Sequence, residues 1–243
     1  MKPILFNTEM VRAILDGRKT VTRRVVKRAA VDNVLSSPAR KENPDAEDSR
    51  FIRCLCTAPC EPGDILYVRE TWCSAYDGEA YFYLADKHTE REESRLLDYD
   101  DVRWHPSIHM PKEAARLFLR VSGVRVERLQ DSFTEQGDTI TALRDEGVDI
   151  GDHCRQCIEN YGNPCCNDLD PDLEPDDNGE DENGGSECGM LDEVRSDFAR
   201  LWDNTLKPAD RALYGWDANP WVWVIEFERI SKEEALGGGG DAN

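Results

Sequence analysis

No run of apolar residues in this 243-residue chain approaches the roughly 20 needed to span a bilayer. The opening Met1-Lys2-Pro3-Ile4-Leu5-Phe6 is too short in its apolar part for a signal peptide. No membrane partner is therefore expected, and a cytoplasmic location is. Lysine and arginine are missing altogether between Arg155 and Arg195, in a chain of formal net charge −20. That balance argues against indiscriminate polyanion binding, bulk DNA included. A disulfide framework is excluded as well: the cysteine count is nine, an odd number, and no export signal precedes it, so the thiols should be free or metal-bound. A calcium loop fails next. Asp168-x-Asp170-x-Asp172 begins like one, but Leu173 stands where glycine is needed and Gly179 where glutamate closes the site.

What is present points to a folded protein. Hydrophobic residues make up 39% of the chain and there are six tryptophans, enough to bury a core in one domain with insertions or in two small domains. The scarce positive charge is concentrated: Arg12, Arg18, Lys19, Arg23, Arg24, Lys27 and Arg28 face a single acid, Asp16, between residues 11 and 28. Within that stretch Thr8 to Asp16 reads as a helix, with Thr8 as cap, Val11, Ile14 and Leu15 on one face, and Gly17 as its left-handed stop. The turn presents Lys19. A strand follows, in which alternation sets Val21, Arg23 and Val25 on one side and Thr22, Arg24 and Val26 on the other. Lys19, Thr22 and Arg24 can thus converge. A lysine lowered by its surroundings serves as a base, a threonine hydroxyl as a nucleophile, and a guanidinium as an anion or carbonyl holder. The plain alternative is a solvated basic strand.

Residues 32–60 carry prolines, serines and interleaved charges, which predicts a loop insertion. After Pro62-Gly63-Asp64 a strand is expected in which Ile65, Tyr67 and Arg69 alternate with Leu66, Val68 and Glu70. Further strands are expected at 80–85 and 115–129, the second bent at Gly123. In Trp104-His105-Pro106-Ser107-Ile108-His109-Met110-Pro111, Trp104 can stack on a base and His109 can exchange a proton; a proline-stiffened surface loop is the competing reading. A short helix at 139–148 carries Glu146 beside Gly147. Leu191, Val194, Phe198, Leu201 and Trp202 form a helical stripe, 221–228 is an apolar strand, and 232–243 reads as a flexible tail.

The segment 151–189 is cysteine-rich and acidic. Cys154-x-x-Cys157, Cys165, Cys166 and Cys188 have the spacing by which thiolates close a tetrahedral zinc site. Cys154, Cys157 and Cys165 are the expected ligands, with Cys188 as the fourth and Cys166 competing for that place. Cys54, Cys56 and Cys60 could make a second site with the ligand left over. The acidic run 168–182 is expected to be disordered, and no organic cofactor is indicated.

The order of parts (helix, Gly17-x-Lys19-x-x-Thr22-x-Arg24, Gly63-Asp64 strand, Trp104 to Pro111, long strand, Glu146-Gly147, helix, Trp221 to Phe227) resembles the ASCH family, phage-encoded members included. The resemblance covers most of the chain outside 32–60 and 151–190. It implies an α+β protein with a PUA-like β-barrel flanked by helices, in which 1–150 and 190–231 make one domain. It also implies RNA or modified-nucleoside chemistry. Small bacterial members are N4-acetylcytidine amidohydrolases with a lysine, a threonine and a glutamate as the proposed catalytic set, which match Lys19, Thr22 and, by its place after the long strand, Glu146. Arg18, Arg23, Arg24, Arg69, Trp104 and His109 are the expected substrate- or RNA-binding side chains. A non-catalytic RNA-binding module, a ribonuclease, and a phage accessory protein that binds a host protein through the acidic segment are the alternatives.

Overall fold

The computed structural model describes residues 1–75, 80–86, 103–133, 139–148 and 189–237. Its strands are β1 (Lys2–Leu5), β2 (Val21–Val25), β3 (Ile65–Arg69), β4 (Trp72–Ala75), β5 (Ala80–Tyr83), β6 (Phe118–Arg128) and β7 (Trp221–Ile230). Its α-helices are α1 (Thr8–Leu15), α2 (Arg28–Leu35), α3 (Pro38–Lys41), α4 (Asp48–Leu55), α5 (Thr139–Asp145), α6 (Gly189–Thr205), α7 (Arg211–Tyr214) and α8 (Lys232–Ala235). The fold is α+β, as expected. Contacts divide the chain into two units, Met1–Val126 with Trp223–Asn243, and Glu127–Val222. The division falls inside β6 and β7.

In the first unit five strands form one sheet in the order β1-β3-β6-β7-β2. β1 runs parallel to β3, with Ile4 opposite Val68 and Leu5 opposite Arg69, and β3 runs antiparallel to β6, with Tyr67 opposite Phe118. Although β1 and β2 stand at opposite ends of that order, Nη2 of Arg24 on β2 donates to the Leu5 carbonyl of β1 at 3.1 Å. The sheet is rolled, as twisted sheets are, until its edges come within side-chain reach. Among the described residues a side chain joins those edges and no backbone ladder does. The closed barrel expected from the sequence is therefore corrected to an open sheet.

The buried face of this sheet follows from alternation: Leu66, Val68 and Glu70 are buried while Ile65, Tyr67 and Arg69 are partly exposed. Helix α1 buries Val11, Ala13 and Ile14, and its cap is Asn7, one residue before the expected Thr8, accepting from the Met10 amide at 2.8 Å. Gly123 lies within the unbroken strand β6. A Cβ there would come within 2.5 Å of Glu226 Oε2, the tip of a partly exposed side chain that can swing away.

Two expectations change. The segment 32–60 is helical where a loop was expected: α2 buries Val31 and Val34, α4 buries Ile52, Ser37 caps α3, and Arg40 bridges to Asp48 at 2.7 Å. Three apolar side chains and local caps suffice because each helix needs only one narrow inward stripe. The start of the tail is also ordered, since Ser231 accepts from the Glu234 amide and Ala235 enters a cluster with Met110, Phe118 and Ile230. The hairpin β4–β5 supplies Trp72, Tyr81 and Tyr83 to the rim of that cluster.

The second unit is helical and aromatic. Phe133, Phe198 and Trp216 form a triangle with ring centres 4.8 to 5.9 Å apart. Asp203 fixes it by accepting from the Trp216 amide at 2.8 Å, and the Trp202 indole donates to the Tyr214 carbonyl at 2.8 Å.

Candidate functional site

The site is built from the turn after α1. Gly17 adopts φ 74°, a left-handed conformation open to glycine at little cost. The Arg18 and Lys19 amides then fold back onto the Ala13 carbonyl at 2.8 and 3.0 Å. This drives Lys19 inward until it is 2% exposed, and Thr22 on the following strand is 1% exposed. Beside Lys19 lies Phe6, which belongs to none of the expected site motifs. Lys19 Nζ is 6.0 Å and Arg24 Cζ 5.4 Å from its ring centre, within cation–π range.

Arg24 Nη1 donates to Thr22 Oγ1 at 2.7 Å and to the Arg23 carbonyl at 2.9 Å, while Nη2 reaches Leu5. Arg24 is thus held on the Thr22 hydroxyl while it shares the Phe6 ring with Lys19. Because Thr22 Oγ1 accepts from a cation, its own proton is left to donate, and negative charge developing on that oxygen meets a donor already in place.

The other expected binding residues are placed differently. Arg18 pairs with Asp16 at 3.0 Å. Arg23 is 4% exposed, which withdraws it from any ligand at the surface. Arg69 donates from Nε to the Met110 carbonyl at 2.8 Å and from Nη2 to that of Ile108, so it pins the loop before Pro111. On that loop His109 is exposed and Trp104 half-buried. Glu146 is buried at the end of α5, in the unit Glu127–Val222.

A buried acid that the sequence reading did not single out is Glu70, 1% exposed in the same unit as Lys19. Arg116 grips it through Nε and Nη2 at 2.9 and 3.0 Å, donates to Asp86 at 2.7 Å, and lies 3.9 Å above the Tyr83 ring centre. The register that pairs Ile4 with Val68, extended by the Phe6 amide bonded to the Arg69 carbonyl, sets Phe6 abreast of Glu70 on the buried face. The signal was available: alternation puts a charged residue on the face of Leu66 and Val68. Burial pushes the Glu70 carboxyl up from its ordinary value, against the hydrogen bond from Arg116. The fixed guanidinium charge keeps it ionised near neutral pH.

Cys154, Cys157, Cys165, Cys166 and Cys188 lie outside the described residues. Of the second cysteine set Cys54 is exposed and Cys60 buried, and no group of three or more His, Cys, Asp or Glu side chains among the described residues could hold a metal ion. Among those residues, too, no helix is long and apolar enough to cross a membrane. No protein-family model, curated protein or solved structure matches the chain.

Proposed function

We propose that this is a PUA-like, ASCH-type protein that acts on a modified nucleoside by hydrolysing the exocyclic amide of an N-acylated cytidine. One observation carries the reading: Lys19 and Arg24 share one aromatic ring, Lys19 and Thr22 are buried, and Arg24 donates to the threonine oxygen. Lys19, as the neutral amine, takes the Thr22 proton, and Oγ1 attacks the amide carbonyl. The tetrahedral oxyanion forms beside backbone amides and the Arg24 guanidinium. The carbon–nitrogen bond then breaks, and the departing amine takes the proton back from Lys19. Water, deprotonated by Lys19, cleaves the threonine ester and releases acetate.

A carboxylate assists the departing amine, and two are available to the proposal. Glu146 is the one implied by family resemblance, and Glu70 is the one buried in the unit that holds Lys19. Glu70→Gln and Glu146→Gln separate them, the true participant losing kcat and the other not.

The experiment is acetate release from N4-acetylcytidine. Lys19→Met and Thr22→Val should each lower it by about 10² to 10⁴-fold, and Thr22→Ser should retain part of it. Absence of release by the wild-type protein, or release undiminished in Lys19→Met, overturns the reading. The zinc expectation at Cys154, Cys157, Cys165 and Cys188 belongs to the same proposal. Metal analysis of protein purified without chelator should find about one zinc per chain.

A further inference from the structure

A cavity of about 350 Å³ is lined by Arg24, Val26, Lys27, Ala30 of α2, Cys56 and Trp223 together with Val25, Thr57 and Pro59, so that the stretch just after α4 forms part of its wall. Arg24 belongs to two places at once, since it lines this cavity and donates to Thr22 Oγ1. The cavity is therefore continuous with the candidate site at the level of one side chain. Its volume is at the low end for small-molecule pockets, of the order of one nucleotide.

Its charge is one-sided. Among the described residues no aspartate or glutamate lines it, and Arg24 and Lys27 do. Lys27 is exposed, and among the described residues its ammonium has no ion-pair partner. Cys56 adds no negative charge, because burial pushes its thiol up and keeps it protonated at neutral pH. The remaining lining is apolar except for Thr57: Val25, Val26, Ala30, Pro59 and Trp223. A cationic lip over an apolar floor suits an anion attached to a flat, weakly polar body.

We propose that this cavity receives a phosphorylated nucleoside, with the phosphate at Lys27 and Arg24, so that the substrate of the neighbouring site is a nucleotide or a phosphorylated RNA end and not a free nucleoside. The inference rests on the nucleoside reading above but is tested without the chemistry. Isothermal titration of the wild-type protein with cytidine 5′-monophosphate and with cytidine should show the monophosphate binding at least about tenfold tighter, as one charge-assisted phosphate contact provides. Lys27→Ala should bring the two affinities together and leave that for cytidine unchanged. Lys41→Ala, a surface lysine on α3, should leave the preference intact. Ala30→Trp, which fills the cavity, should weaken both ligands.

A 5′-phosphorylated trinucleotide and its dephosphorylated form distinguish the two sources. A preference confined to the mononucleotide assigns a free nucleotide, and one shared by the trinucleotide assigns an RNA end. Equal binding of monophosphate and nucleoside to the wild type, or a preference that survives Lys27→Ala, overturns the proposal. Failure to release acetate with the phosphate preference intact counts against the hydrolytic reading alone.

Discussion

Arg24 and Arg116 are two partly buried guanidiniums of the same unit, each set against an aromatic ring, and they are used in opposite ways. Arg116 sits 3.9 Å over Tyr83 and sends its donors to two carboxylates, Glu70 and Asp86. Arg24 sits 5.4 Å from Phe6 and sends Nη1 and Nη2 to a hydroxyl and two backbone carbonyls. Carboxylates neutralise the cation they hold, and a buried pair of that kind is a fastening whose loss exposes an uncompensated charge. The hydroxyl and carbonyls that Arg24 holds fix its orientation and carry no full charge of their own. The first arrangement suits structure, and the second holds a guanidinium against the oxygen of Thr22.

The largest expected effect comes from breaking the fastening. Arg116→Ala should destabilise the protein by about 3–5 kcal/mol, measured by urea denaturation. Its pH dependence carries a sign that can be checked. Without Arg116, burial raises the Glu70 pKa further, so the folded state binds a proton that the unfolded state releases. Stability of Arg116→Met should therefore fall as pH rises from about 4 and recover in acid. A loss independent of pH would mean that Glu70 is not the group left stranded.

Arg24→Ala should cost less, roughly 1.5–3 kcal/mol, with little pH dependence through the carboxylate range. An Arg24 variant as sensitive to pH as Arg116→Met would erase the contrast between the two clusters. Tyr83→Phe comes next, at about 1 kcal/mol, for the hydroxyl that donates to the Ala114 carbonyl at 2.6 Å. Burial pushes the Tyr83 phenol up to about 12, whereas an unfolded tyrosine titrates near 10. Its contribution is therefore complete below about pH 10 and lost as pH rises toward 12, and the alkaline limb of the wild-type stability curve should flatten in Tyr83→Phe. Smallest is Asn7→Gly at the α1 cap, a few tenths of a kcal/mol, which a thermal melt should register without loss of the turn at Lys19.

Legibility varied with range along the chain. Gly17, the α1 stripe and the alternation in β2 and β3 depend on neighbours within a few residues, so the approach of Lys19, Thr22 and Arg24 could be anticipated from local rules. Phe6 was not anticipated, since an apolar residue near a basic turn looks the same whether it is core or a ring beneath two cations. Glu70 was half legible: its face was readable, but its partner Arg116 lies on a segment brought alongside only when β3 pairs with β6. The partners of Arg69 were hidden for the same reason, because the carbonyls of Ile108 and Met110 that it serves are distant in sequence. In 32–60 the polar composition hid helices whose inward stripe consists of Val31, Val34 and Ile52.

By itself the sequence determined where the chain turns, which residues alternate, and that positive charge gathers beside one glycine stop. These are set by backbone sterics and side-chain periods, which act within one element. Only the tertiary structure decided that Arg24 reaches across to the far edge of the sheet, that a carboxylate is buried against Arg116, and that α2 and the stretch after α4 line a cavity together with Arg24, the partner of Thr22. Those outcomes depend on how the sheet rolls and what it covers. That is a balance of burial against unpaired charge summed over the unit, and no local stretch of sequence contains it.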